Sequence, residues 1–117
     1  MSIDTGLRPR TKLDAAYENV RANREEILRH SDLALAQQHI AGEFAALGWV
    51  LDPGAASPLT GRSGVDTNAP SELDRERRIA TDMLYGKVPA DGRGEAYISG
   101  VESTLMWILG ETDSEPF

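Results

Sequence analysis

The chain has 117 residues, no cysteine and a formal net charge of −7, so it fits one domain and forms neither disulfides nor thiolate metal sites. Apolar residues make up 40% and charged residues 26%, a globular rather than a disordered composition. The acidic balance argues against direct nucleic-acid binding, which needs a basic face, and the longest run of large apolar residues, 105–109, is far short of the ~20 that a membrane span needs.

Residues 1–10 contain Gly6 and Pro9, show no periodicity and read as an extended arm. They hold no apolar run of the secretory kind, and the expectation is a cytoplasmic protein. Thr11 offers a helix N-cap with Asp14 at the capping-box position. Leu13, Ala16, Tyr17, Val20, Ile27 and Leu28 follow at helical spacing, interrupted by Arg24, and predict a first helix over about 12–30. Its other face places Glu18 near Arg21 and Glu25 near Arg29, spacings that allow surface ion pairs.

A second stripe runs through Leu33, Ala36, Ile40, Phe44 and Leu47 and predicts a helix over about 32–47. It is out of phase with the first stripe, so a break is expected near His30 and Ser31. Gly48 fits a C-cap glycine, which would leave Trp49, Val50 and Leu51 as a cap tail or a short extended segment.

Residues 52–70 hold Pro53, Pro58, Pro70, Gly54, Gly61 and Gly64 without periodicity. They read as a long loop, mobile or in contact with a partner. Ser71 then suits an N-cap with acids in the first turn. Leu73, Ala80 and Leu84, flanked by Ile79 and Met83, predict a third helix over about 72–85 that ends at Gly86. After a turn at 88–94, Tyr97, Ile98, Val101, Leu105, Ile108 and Leu109 predict a fourth helix over 95–109, capped by Gly110. Residues 111–117 form an acidic tail. The fold class expected is therefore all-α: a single domain over 11–110, built as a small bundle of about four helices.

Few residues carry chemistry. Asp91-Gly92-Arg93-Gly94 lacks the spacing and the Lys-Ser/Thr of a phosphate loop and reads as an interhelical turn. His39 and Glu43 share a helix face but have no third or fourth ligand, so they read as a surface polar pair. The acids Glu72, Glu76, Glu95 and Glu102 repeat at helical spacing and read as solvent faces. No cofactor and no metal is implied, and no enzyme.

The expected function is a non-enzymatic protein-interaction module, an adaptor or regulator that binds itself or another protein. Trp107, Met106, Gly100, Ser103 and Thr104, which lie off the main stripe of the fourth helix, are the candidate contacts, together with Trp49. Two other readings are open. Residues 71–117 hold five basic and ten acidic side chains, which suits an acidic, phage-like inhibitor seated in a nucleic-acid site of another protein. The arm and the long loop suit a virion or assembly component.

Overall fold

The computed structural model describes residues 8–112 other than 31, 53, 65 and 91. Four helices form, α1 (Arg10–Ile27), α2 (Ala34–Leu51), α3 (Pro70–Leu84) and α4 (Glu95–Ile108), and no strand is present among the described residues. None of the helices is long and apolar enough to cross a membrane. The expected arm lies mostly, and the acidic tail largely, outside the described residues.

Helix α1 takes Pro9 in its cap position, two residues before the expected Thr11. Pro9 precedes it with extended backbone, and the Pro9 carbonyl accepts from the Lys12 and Leu13 amides. No side chain caps it, so Thr11 lies within the first turn. The stripe Leu13, Ala16 and Val20 is buried. The chain does break before α2. The last carbonyls of α1 are closed from across the turn, where the Gln37 side-chain amide donates to Ile27 O at 3.2 Å and His30 O at 2.9 Å. On the surface Arg21 bridges Glu18 and Glu25, while Arg29 pairs with Glu26 rather than with Glu25.

Helix α2 continues through Gly48 and does not end there. Trp49, Val50 and Leu51 are helical, because Trp49 and Val50 are buried and the helix gains more from that packing than from a turn. A Cβ on Gly48 would stand 3.7 Å from Cε1 of Tyr17, an ordinary contact. Tyr17 stacks on Phe44 with ring centroids 4.9 Å apart, and the Arg24 guanidinium lies over the Phe44 ring, 5.2 Å from its centroid. Arg24 thus interrupts the apolar stripe in sequence while extending it in space.

Helix α3 begins on Pro70 itself, with Ala69 rather than Ser71 in the cap position; proline's fixed φ suits the first helical residue. Helix α4 ends in the expected way. Gly110 adopts φ 78°, and its amide and that of Glu111 return to the carbonyls of Trp107 and Met106.

The largest interface joins α2 to α4, with α1 packed on the other side of α2 and α3 on the other side of α4. Two glycines set the central contact. A Cβ on Gly42 would run into the Tyr97 carbonyl, and one on Gly100 into the His39 carbonyl. The two backbones therefore meet at van der Waals distance, each through the other's glycine. The layer also fixes the ends of the molecule. Leu35 and Gln38 at the start of α2 share a hollow with Leu84, Glu95 and Ala96, so both interhelical turns lie at one end. At the other end the Arg8 amide donates to Ile108 O and an Arg10 Nη donates to Leu51 O.

The described residues of the 52–70 loop are held, contrary to the mobile reading. Ser57, Pro58, Leu59 and Thr67 are buried. The Thr67 hydroxyl donates to Val50 O at 2.9 Å, and the Tyr97 hydroxyl donates to Pro58 O. Glu76 of α3 is fully buried and takes the rest. Its Oε2 accepts from the Leu59 amide at 2.7 Å and from the Thr60 amide at 3.1 Å, and its Oε1 accepts from the Thr60 hydroxyl at 2.8 Å. Arg62 closes the loop onto α3 through Glu72, at 2.9 Å.

Candidate functional site

The six residues expected to meet a partner do not form one exposed patch. Trp49 and Trp107 are 1% and 3% exposed, and Thr104 is fully buried. Gly100 is taken up by the close approach of α2. Met106 and Ser103 are half-buried, and the Ser103 hydroxyl donates to Ser99 O of its own helix. Arg8 holds the Trp107 end of α4, donating from Nε to the Trp107 carbonyl at 2.7 Å and lying over its ring. Trp49 lines a hollow with Tyr17, Phe44 and Gly48, and Trp107 lines another with Lys12, Ala15, Ala16 and Asn19 of α1.

Two other features carry more information. The first is an apolar end. The exposed large hydrophobics among the described residues are Leu28, Leu33, Leu35, Tyr85 and Val88. All five lie in or beside the two interhelical turns, which share one end of the layer. Leu35 is 72% and Tyr85 76% exposed, and large side chains so bare mark contact surfaces when they cluster. Residues 24–35 and 82–95 together hold four basic and six acidic side chains, so this end carries close to its proportional share of the chain's negative charge. Elsewhere on α3, Asp74 pairs with Arg77 and Arg78, and Arg77 also pairs with Glu111, which follows α4.

The second feature is the pair His39 and Glu43. Glu43 is 3% exposed, so the pair is not the surface pair read from the spacing. The close Gly42–Gly100 crossing draws this part of α2 against α4 and carries Glu43 inward. His39 Nε2 stands 3.2 Å from Glu43 Oε2, yet that oxygen accepts no hydrogen bond from a described residue. Burial pushes the Glu43 carboxyl up from the usual 4.5 to about 7. Both side chains line a hollow of about 320 Å³ between α1 and α2, walled by Asn23, Ile27, Ala36 and Ile40. No group of three metal-ligating side chains is assembled among the described residues.

Glu76 is fully buried rather than on the solvent face read for it: 73, 76 and 80 fall on one helical line, which turns the acid toward the 57–62 loop, whose amides and hydroxyl it takes up. Glu43 gave a weaker signal: an acid three residues after Ile40 and four before Leu47. The apolar end gave none: Leu28 and Leu33, read onto the stripes of the first two helices, lie in the turn between them and are exposed, because turns lack the periodicity that separates an inner face from an outer one.

No family model matches the chain, and no curated protein or solved structure matches it.

Proposed function

We propose that the protein is a non-enzymatic interaction module that pairs with a second copy of itself through the apolar end formed by the α1–α2 and α3–α4 turns. The observation that carries this reading is the clustering of Leu28, Leu33, Leu35, Tyr85 and Val88 at one end of the layer. A twofold contact uses the same patch on both copies. The five residues are themselves uncharged, so the contact draws on burial of apolar surface and needs no oppositely charged partner. The acidic-inhibitor reading receives less support, because the α3 acids are held by arginines and by the loop.

Light scattering over a concentration series tests this. A mass rising from 12.7 kDa toward twice that value is expected at micromolar to submillimolar chain. Leu35→Glu should return the monomer with an unchanged far-UV circular dichroism spectrum. A chain that stays monomeric throughout, or one whose association ignores Leu35→Glu and Tyr85→Glu alike, would overturn the proposal.

A further inference from the structure

Independently of self-association, we propose that the hollow between α1 and α2 binds a small organic cation, an ammonium or guanidinium group carried on an apolar body. Three observations converge there. The hollow has about 320 Å³ of space, enough for such a molecule, with Ile27, Ala36 and Ile40 as an apolar wall. A carboxyl group sits in its lining, on a residue 97% removed from solvent by the 3% exposure of Glu43, and the Oε2 atom of that group accepts no hydrogen bond from a described residue. The other acid on the lining, Glu26, is engaged by Arg29 at 3.5 Å and His30 at 3.3 Å, which leaves Glu43 as the acceptor in need of a donor.

The chemistry follows from that need. A buried carboxylate without donors is costly, and a charged donor offsets the cost better than a neutral one. The groups facing Glu43 from the lining are Glu26 and Asn23 on α1 and His39 on its own helix; where α4 crosses, the neighbour is Gly100. None of these is a permanent cation. An anionic ligand would meet two carboxylates, and a purely apolar one would leave Oε2 without a partner. A ligand with one cationic donor and an apolar body satisfies both the floor and the wall, the usual division of labour in a ligand site. His39 is half-buried with Nε2 3.2 Å from the same oxygen, and lies on the lining beside the acceptor.

Benzylammonium and its uncharged isostere benzyl alcohol are suitable probes, titrated at pH 8 into the full chain and followed by ¹H–¹⁵N chemical shifts. Saturable shifts at Ile27, Ala36 and Ile40 are expected with the ammonium, with the alcohol about tenfold weaker or worse. Glu43→Gln, which keeps the shape, should weaken the ammonium about tenfold and bring it level with the alcohol. Ala36→Leu, which fills the wall and keeps the carboxylate, should abolish binding of both. Tyr85→Glu, which lies outside the hollow and disrupts the apolar end, should leave ammonium binding unchanged. Equal binding of the two probes, ammonium binding indifferent to Glu43→Gln in a variant with an intact spectrum, or saturation at residues away from the hollow would overturn the proposal.

Discussion

Single residues govern how this chain responds to pH. The folded protein holds a proton on Glu43 that the unfolded chain releases, because burial raises its carboxyl to about 7. Stability from this group is therefore complete below pH 4.5 and is lost as pH rises toward 7. Each pH unit in that window removes ~1.4 kcal/mol, for a ceiling of about 3 kcal/mol. Glu43→Gln removes the titration. The variant should match the wild type near pH 4.5 and exceed it by ~1 to 3 kcal/mol at pH 8, as read from urea unfolding at both values. A constant difference between the two proteins across pH would mean that Glu43 does not titrate with folding. Trp107 answers a different question. Because it is 3% exposed, Trp107→Ala should cost about 3 to 5 kcal/mol of stability even in dilute, monomeric protein.

Between elements, two devices do most of the positioning, and they differ in how well the sequence announced them. The helices themselves were legible, since each carries a stripe of period 3.6 and the break at 28–33 shows as a change of phase. The boundaries were not: Gly48 fits a cap, but the burial of Trp49 and Val50 carries the helix past it. Gly100 was visible as an anomaly, a glycine inside a helix, but its partner was not, because a crossing is made by two residues 58 positions apart in the chain. The obstruction at both glycines is a backbone carbonyl, which cannot rotate away as a side chain can. Gly100→Ala should thus lower stability by about 2 to 3 kcal/mol, against a gain of ~1 kcal/mol from helix propensity. An alanine variant as stable as the wild type in thermal unfolding would show that the helices separate freely. The loop depends on Glu76 in the same way. Glu76→Ala strands the buried Leu59 amide together with the Thr60 amide and hydroxyl, and should cost about 3 kcal/mol while opening residues 57–62 to protease. If cleavage there is no faster than in the wild type, Glu76 does not hold the loop.

For the molecule as a whole, the distribution of charge and of bare apolar surface separates the two leading readings of what it does. A contact through Leu28, Leu33, Leu35, Tyr85 and Val88 draws on removal of apolar area from water, which salt does not screen. A contact through a carboxylate face draws on long-range attraction, which weakens steeply as the Debye length shortens from ~10 Å at 0.1 M to ~3 Å at 1 M salt. The −7 net charge adds a mild repulsion between two copies, and salt relieves it. Self-association should consequently hold or tighten slightly between 0.05 and ~0.5 M sodium chloride, changing by less than about threefold. Because only the folded chain presents the paired turns, association should also raise the unfolding temperature with chain concentration. Tyr85→Glu, which introduces a charge into the contact on both copies at once, should flatten that dependence without lowering the dilute-limit value. Sedimentation equilibrium across the salt series, with differential scanning calorimetry at two concentrations, measures both. Association that collapses as salt is added would assign the contact to the acidic surface instead of to the apolar end.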